Sequence, residues 1–274
     1  MSQRPRVLTI ALLAACLTAA AAAQNTDEAF QGQKPERFLS EAHVGRIEDI
    51  DVGVTRPQRV TLELDGFTHL AAFKTVDEAP KPGGTRMDDG TVIASLQDSF
   101  RLEIAAYVVD RIIGLGMVPA TIERRIRGYS GSLQWWVDGM TENERIEARL
   151  IPPDIGAWNQ DVQKFLLFDE LICNIDRNRG NLIIDDDFHI LLIDHSRSFP
   201  NFTELRHPER LKRFSRTLLE GLGRLELDDL KERLGKPRYL LDGQIAAILA
   251  RRDLIVELAR QRVAELGEDA VLYK

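Results

Sequence analysis

Three polar side chains near the middle of the chain have the types and spacing that metal-dependent chemistry requires. Asp176 and Asn181 stand at the two ends of a short polar loop, and Asp194 ends an apolar run further along. A carboxamide and a carboxylate that converge can hold one or two hard divalent cations through oxygen ligands. Asp176 would then be free to accept a proton.

The surrounding pattern explains why these side chains should meet. Apolar residues recur at three- and four-residue spacing over 165–175, which predicts an amphipathic helix reaching Asn174. The loop 176–181 is too rich in Asn and Gly to continue that helix. Two β-rich runs, 182–184 and 188–193, follow it and are joined by a solvated Asp-Asp-Asp turn. A hairpin of this kind returns its last residue, Asp194, to the loop.

The loop and hairpin together resemble the active-site pattern of the protein-kinase-like superfamily, in which Asp-x-x-x-x-Asn precedes a hairpin ending in Ile-Asp. Asn-Ile-Asp-Arg-Asn-Arg-Gly-Asn, residues 174–181, is similar to the loops of type II phosphoinositide 4-kinases, phosphoinositide 3-kinases and HipA-type kinases. Residues 192–199 are similar to the Leu-Asp-His-Gly-Arg-Ala-Phe segment of four-jointed and Golgi casein kinases. The usual His-Arg-Asp and Asp-Phe-Gly are replaced by Asn-Ile-Asp and Asp-His-Ser, as is normal for the atypical branch.

The upstream chain contains residues that match other parts of such a site. Lys74 ends Ala-Ala-Phe-Lys, which resembles the Val-Ala-Ile-Lys strand and implies a lysine that holds nucleotide phosphates. A buried ammonium needs a partner, whereas an outward-facing lysine would need none. Glu103, on a helix predicted over 99–113, is the partner that the resemblance implies. Asp110 lies on nearly the same stripe and is the rival carboxylate.

Two more segments are expected to contact the nucleotide. The connector 51–57 has one glycine, so it is not a glycine-rich loop. The backbone of Gly53 and the side chains of Thr55 and Arg56 could contact phosphate, or could merely turn the chain. Backbone groups near Trp136 and Val137 occupy the position of a kinase hinge and would pair with adenine. Trp135 and Trp136 should point to opposite faces of their strand, so at least one of them is a packing residue.

The resemblance implies an α+β, bilobal protein-kinase-like fold. The small lobe, 42–138, is an antiparallel sheet with one key helix, and the large lobe, 139–274, is mostly helical. The polar segment 77–98 is interpreted as a surface insertion loop with a short strand near 92–93. The pattern predicts strands at 44–50, 60–64, 70–76, 120–127 and 133–137, and helices at 141–150, 204–221, 227–234 and 242–266. Asp65-Gly66 marks a hairpin between the second and third of these strands. Ser99 or Asp98 is the expected N-cap of the helix at 99–113, and Gly114 is its expected stop.

The first 23 residues have the pattern of a secretory signal peptide. Arg4 and Arg6 precede a short apolar run, and three alanines end at Ala23. The run is too short for a stable membrane span. An extracytoplasmic chain, periplasmic or secreted, is therefore predicted, with no integral span after cleavage. Lipid anchoring through Cys16 is the alternative, and residues 24–41 are interpreted as a linker.

Composition narrows the classes of partner. The formal net charge is −7, and the two arginines of the leader leave −9 for the remainder. This balance argues against broad nucleic-acid binding and against simple electrostatic docking on anionic membranes. Cys173 is the one cysteine outside the leader, so a cleaved chain cannot form an internal disulfide. Its place in an apolar helix favours a small core residue.

The resemblance thus implies an ATP-dependent kinase that uses Mg²⁺ or Mn²⁺ and a hydroxyl-bearing acceptor. Lys74 would hold the phosphates with Glu103 orienting it, and Asn181 and Asp194 would bind the metal. Asp176 would orient and deprotonate the acceptor hydroxyl. The leader favours a protein acceptor. A phosphoinositide-like lipid or small-molecule kinase, a non-catalytic pseudokinase and a fold that transfers AMP are the alternatives.

Overall fold

The computed structural model describes residues 30–50, 57–86, 90, 92–235 and 239–274. In chain order the elements of its N-terminal lobe are α1 (Gln33–Glu41), β1 (His43–Asp49), β2 (Gln58–Leu64), β3 (Phe67–Lys74), β4 (Asp77–Glu78), β5 (Thr85–Arg86), β6 (Val92–Ile93), β7 (Asp98–Ser99), α2 (Phe100–Ile113), β8 (Thr121–Ile126) and β9 (Tyr129–Trp135). The lobe is built on a five-stranded antiparallel sheet with the strand order β1-β2-β3-β9-β8. Among the described residues, four short strands lie between β3 and α2.

The predicted hairpin between β2 and β3 is confirmed. Asp65 and Gly66 form its turn with φ angles of 52° and 80°. Two successive positive φ values match the right-handed twist of the flanking strands, and glycine adopts them at little cost. The alternate residues Val60 and Leu62 of β2 are fully buried, so one face of the hairpin contributes to the core.

The predicted linker is wrong over residues 33–41, because these residues form helix α1. Pro35, Phe38 and Leu39 are buried on one face of it. Their spacing is helical, but the exposed residues between them make the segment polar on average. Arg124 of β8 donates hydrogen bonds to the carbonyl oxygens of Leu39 and Ala42, at 2.6 and 2.5 Å. Helix α1 is therefore part of the small lobe.

Helix α2 begins and ends where its capping residues predict. The Ser99 hydroxyl oxygen accepts a hydrogen bond from the backbone N–H of Arg101, and Gly114 ends the helix with φ 73°. A serine N-cap and a left-handed glycine satisfy backbone groups that the helix leaves free. The helix is buried over most of its length, which holds its polar residues in fixed positions.

The described residues of the insertion 77–98 include four short strands. Strands β4 and β7 pair antiparallel, with Glu78 opposite Asp98, and β5 pairs with β6. The strand expected near residues 92–93 is present as β6. The β4–β7 ladder joins the insertion directly to the N-terminus of α2.

The C-terminal lobe is mostly helical. Its elements are β10 (Met140–Thr141), α3 (Glu142–Glu147), α4 (Ile155–Ile172), β11 (Leu182–Ile184), β12 (Ile190–Leu192), β13 (Phe214–Ser215), α5 (Arg216–Leu222), α6 (Leu227–Gly235), α7 (Asp242–Leu266), α8 (Glu268–Val271) and β14 (Leu272–Tyr273). Strands β10, β11 and β12 form a three-stranded sheet, and β13 pairs parallel with β14.

The helix predicted over 204–221 is wrong in its first half. Apart from a single 3₁₀ turn at Pro208–Arg210, no helix precedes α5 there. The backbone N–H groups of Arg206 and His207 donate to the carboxylate of Glu170, and those of residues 212–213 donate to the amide oxygen of Gln163. Side chains of α4 thus satisfy amides that a helix would otherwise have paired.

No helix in the described part of the chain is long and apolar enough to span a bilayer.

Candidate active site

Lys74, at the end of β3, faces two carboxylates from different parts of the chain. Its Nζ atom lies 2.5 Å from Oε1 of Glu103 and 2.9 Å from Oδ1 of Asp194. The Glu103 side chain is 2% exposed, that of Lys74 13% and that of Asp194 33%. The cluster is therefore closed on the side of α2 and open on the side of Asp194.

The charges of this cluster stabilise one another. Burial alone would lower the pKa of Lys74, but attraction to Glu103 and Asp194 outweighs burial and raises it. Burial likewise opposes ionisation of Glu103, and the attraction of Lys74 outweighs it, so the pKa of Glu103 is well below its usual range. Lys74 is therefore positively charged and Glu103 negatively charged at neutral pH.

Helix α2 presents Glu103, and not Asp110, to the lysine. The second oxygen of Glu103 accepts the backbone N–H of His195, at 2.9 Å, which ties α2 to the segment after β12. Asp110 accepts instead from the backbone N–H groups of Gly116, Met117 and Val118, at 2.8 to 3.1 Å. The rival carboxylate therefore closes the turn after its own helix.

The polar loop after α4 is shaped by its asparagines. Cys173 ends α4 in the left-handed region, with φ 50°. The side-chain oxygen of Asn174 accepts the N–H of Asp176, and the Nδ2 atoms of Asn178 and Asn181 donate to the Asp176 carbonyl, at 3.2 and 3.4 Å. These bonds replace the helical ladder and close the loop around Asp176.

Arg177 organises this loop, a role that the sequence analysis missed. Its guanidinium forms a bidentate ion pair with Asp169 of α4, in which the shortest contact is 2.9 Å. It also donates to the carbonyl oxygens of Asn181 and Ile193, at 3.0 and 2.7 Å, and to Nε2 of His195, at 3.0 Å. The planar guanidinium group of Arg177 thus joins α4, the loop and the end of the hairpin. The sequence did offer one sign of this role, because Asp169 is a charged residue within an otherwise apolar helix and needs a partner of opposite charge.

Asp176 lies at the surface of the loop with its side chain 46% exposed. Burial raises its pKa, the nearby charge of Arg197 opposes that rise, and the negative charges of Asp194 and Asp98 add to it. Oδ2 accepts a hydrogen bond from Arg197 at 3.2 Å, whereas Oδ1 has no partner among the described residues. One oxygen is held and the other is available to a ligand.

Asn181 and Asp194 lie at the two ends of the β11–β12 hairpin. The backbone N–H of Ile193 donates to the Asn181 carbonyl at 3.2 Å, which places Asp194 just past that pairing. Asp194 has φ 61°, a left-handed conformation that aspartate tolerates better than most residues.

Asn181 and Asp194 suit a metal site in which the protein supplies two ligands and the bound nucleotide and water supply the others. The Asn181 amide nitrogen is bonded to the loop, so its oxygen is available. Oδ1 of Asp194 contacts Lys74, so Oδ2 is the oxygen that could bind a metal ion. Among the described residues no cluster of three or more His, Cys, Asp or Glu side chains could hold a metal. Two protein oxygens, completed by phosphate oxygens and water, suit Mg²⁺.

The segment around Trp136 and Val137, which was expected to contact adenine, is only partly available to a nucleotide. Trp135 is a packing residue, since its ring stacks on His69 at 3.8 Å between centroids and meets Phe38 edge-on. The Trp136 N–H donates to the Leu70 carbonyl, and its carbonyl lies 2.9 Å from Nε2 of His69.

The N–H group of Trp136 is thus already bonded, whereas its carbonyl oxygen can accept a second hydrogen bond. The expected pairing of backbone groups near Trp136 and Val137 with adenine stays a prediction. Val137 has no backbone hydrogen bond to any described residue and is the better candidate. Gly53, Thr55 and Arg56 lie outside the described residues, so their expected contacts with phosphate remain predictions.

Comparison with known proteins places this arrangement in a structural class. No family model matches the chain. Phosphatidylinositol 4-kinase gamma 4 of Oryza sativa subsp. japonica is 25% identical to it in a match that covers 77% of this chain and 46% of that protein. The chain thus spans about half the length of this curated relative.

Solved structures show the fold. The hydra Fam20 structure with sugar superposes with a TM-score of 0.65 at 14% identity, covering 88% of this chain and 91% of that one. The Golgi casein kinase gives 0.60 at 14% identity, with 87% and 78% covered. The Helicobacter pylori proinflammatory kinase CtkA gives 0.55 at 11% identity, with 84% and 99% covered. The predicted α+β, bilobal protein-kinase-like fold, with neighbours from the atypical branch, is confirmed.

Proposed function

We propose that this protein is an exported atypical kinase that transfers the γ-phosphoryl group of ATP to a hydroxyl group of a protein. The observation that carries the proposal is the cluster in which Lys74 meets Glu103 and Asp194, beside a loop that displays Asp176. Phosphoryl transfer demands positioning and charge neutralisation more than covalent chemistry. A buried lysine with fixed charge and an accessible aspartate supply these two requirements.

Each residue has a separate task in this proposal. Lys74, oriented by Glu103, binds the nucleotide phosphates. Asn181 and Asp194 would hold Mg²⁺ or Mn²⁺, and the bound ion would neutralise phosphate charge. Asp176 accepts a hydrogen bond from the acceptor hydroxyl and then its proton. The hydroxyl oxygen attacks the γ-phosphorus, and the bond to the leaving oxygen of ADP breaks.

A lipid acceptor is the second candidate. The curated relative is named as a phosphatidylinositol 4-kinase, which favours it, whereas the structural neighbours include a casein kinase. The negative net charge weighs against electrostatic docking on an anionic membrane. For this reason the protein acceptor is preferred.

The test is a labelling assay on the purified chain. The protein is incubated with γ-labelled ATP and Mg²⁺ or Mn²⁺, with dephosphorylated casein in one arm and phosphatidylinositol vesicles in the other. Label on casein is the expected result, and label on the lipid alone would favour the second candidate. A parallel arm with α-labelled ATP detects AMP transfer. No label in any arm, together with no metal-dependent ATP binding, would overturn the kinase proposal.

A further inference from the structure

We propose that Arg197 is a positioning residue for Asp176, and that Asp98 in the insertion anchors it. The described segments of the insertion, 77–86 and 92–98, then help to form the acceptor side of the active site. The inference rests on the proposed function, because it concerns the aspartate assigned to the acceptor hydroxyl.

The geometry is that of one guanidinium between two carboxylates. Nε of Arg197 donates to Oδ2 of Asp98 at 2.8 Å, and Nη1 donates to Oδ2 of Asp176 at 3.2 Å. The donors of a guanidinium lie in one rigid plane, so fixing one of them restricts the direction of the others. Anchoring at Asp98 therefore limits where the Asp176 carboxylate can lie.

Asp98 is well suited to be the anchor. It belongs to β7, which pairs with β4, and its side chain is only 13% exposed. Its second oxygen is buried without a hydrogen-bond partner in the described part of the chain. Asp98 therefore depends on Arg197 for its side-chain pairing, and moving the arginine away would leave a buried carboxylate unpaired.

The backbone near Arg197 is held independently of its side chain. The N–H of Ser99 donates to the Ser196 carbonyl at 3.0 Å, and the N–H of Ile175 donates to the Arg197 carbonyl at 3.4 Å. These bonds join the insertion, the segment after β12 and the catalytic loop. A substitution of the Arg197 side chain should consequently leave the segment in place and release the carboxylates alone.

Asp98, Asp176 and Arg197 line one cavity of about 310 Å³ between the insertion and the catalytic loop. Lys81, Arg86 and Gln97 of the insertion complete much of its wall. Arg197 holds one oxygen of Asp176, and the other oxygen has no partner among the described residues. The cavity thus offers room for a hydroxyl-bearing group beside a carboxylate of restricted orientation.

The chain provides a matched control. Nε of Arg101 lies 3.1 Å from Oδ2 of Asp77, in the same insertion and next to the same ladder. The two arginine side chains are similarly exposed, 34% for Arg101 and 37% for Arg197. Arg101 lies on α2, and its bridge to Asp77 does not include Asp176.

The experiment measures kcat, KM for ATP and the metal-dependent shift in melting temperature caused by ATP. For kcat and KM, transfer of the phosphoryl group is measured with casein and with water as acceptors. We expect Arg197→Gln to lower kcat by ~10- to 100-fold, as a misplaced catalytic group does, and to leave KM and the shift unchanged. Asp98→Asn should lower kcat less, and the double variant should be no slower than Arg197→Gln alone. Arg101→Gln should match the unsubstituted protein.

Chemical rescue separates positioning from folding. Added guanidinium should restore part of the kcat of Arg197→Ala. An unsubstituted chain without turnover would overturn the proposed function itself. An active chain whose Arg197→Gln variant keeps its kcat would overturn this inference alone. Loss of ATP binding in that variant, or failure of guanidinium to rescue the alanine variant, would also overturn the positioning role.

Discussion

At the scale of single residues, the site has one lysine that contacts two carboxylates, so negative charge exceeds positive charge. The single positive charge of Lys74 lies between the negative charges of Glu103 and Asp194. Glu103 is nearly inaccessible, so it orients the ammonium, whereas Asp194 remains open to a ligand. The excess negative charge lies on the open side, where a divalent cation would be attracted.

Substitution of the lysine and of its buried partner should have different effects. Lys74→Met removes a charge-assisted contact with phosphate, typically ~1.5–3 kcal/mol, and should weaken ATP binding roughly 10- to 100-fold. Glu103→Gln keeps the shape of the side chain and should weaken binding less. Calorimetric titration with ATP and Mg²⁺ measures both. If Glu103→Gln were silent while Asp110→Asn reduced ATP affinity, the helix carboxylate would have been misassigned.

The Glu103 pair also predicts a pH dependence of stability. The pKa of Glu103 in the folded protein lies below its unfolded value, so the folded state binds fewer protons there. Its contribution to the free energy of unfolding is complete above the unfolded pKa of about 4.3 and is lost as the pH falls toward the folded value. Urea unfolding at pH 7 and pH 3 should show that Glu103→Gln costs more stability at pH 7. An equal cost at both pH values would contradict the pair.

The two aspartates should separate nucleotide binding from chemistry. Asp176→Ala should keep the metal-dependent ATP shift in a thermal melt and lose turnover by ~10²–10⁴-fold, because it removes the proposed general base and no proposed ground-state contact with ATP. Asp194→Ala should lose both, and Asn181→Ala should lie between them. Full turnover in Asp176→Ala would overturn the assigned mechanism.

At the scale of elements, helix α2 performs two tasks with two carboxylates. Glu103, in its first turn, faces the active site, and Asp110, in its last turn, is fully buried and accepts the amides that follow the helix. Asp110 also accepts from Nε2 of Gln31 at 3.0 Å, so it joins α2 to the residues before α1. Burial raises its pKa to about 6, against the hydrogen bonds that favour its charged form.

Asp110→Asn should therefore affect stability and leave the chemistry intact. An amide group would turn hydrogen-bond donors toward backbone N–H groups, and each unsatisfied buried donor costs ~1–3 kcal/mol. We expect a loss of at least about 2 kcal/mol in the free energy of unfolding, with KM for ATP unchanged under folded conditions. Asp186→Asn, at an exposed turn residue, is the control and should be neutral. A destabilisation equal in both variants would contradict the capping role.

At the scale of the whole molecule, the site is assembled from both lobes. Lys74 and Glu103 come from the sheet and helix of the N-terminal lobe, and Asp176, Asn181 and Asp194 come from the loop and hairpin of the C-terminal lobe. The long helix α7 supports the second group, since buried Arg251 donates to the carbonyl oxygens of Leu171 in α4 and of Pro200. Lobe packing therefore decides whether the charges meet.

Export is the prediction that concerns the chain as a unit. Residues 1–23 lie outside the described residues, and the prediction rests on Arg4, Arg6 and the alanines that end at Ala23. Expression of the full chain in a bacterial host should give a mature N-terminus at Gln24, measured by intact mass. A lipid-modified mass beginning at Cys16 would support the anchored alternative, and an uncleaved cytoplasmic chain would contradict export.

Local patterns determined the elements whose signals lie within a few residues. The Asp-Gly turn, the Ser99 cap and the Gly114 stop predicted a hairpin and a helix that the structure confirms, because these residues satisfy their own backbone. The loop and hairpin indicated Asp176, Asn181 and Asp194 through residue type, spacing and the resemblance to kinases, and the roles of these residues stay predictions.

Tertiary structure decided what depends on partners distant in the chain. Sequence alone left Glu103 and Asp110 as rivals, because both lie on one helical stripe, and only the position of β3 separates them. Helix α1 was missed because its few apolar residues become a core face only against the sheet. The helix predicted before α5 failed because Glu170 and Gln163 accept its amides. Arg177 and Arg197 acquire their roles from carboxylates that the fold brings to them. Ion pairs between residues far apart in the chain leave no repeating pattern in the sequence. They can therefore be identified only in the folded structure.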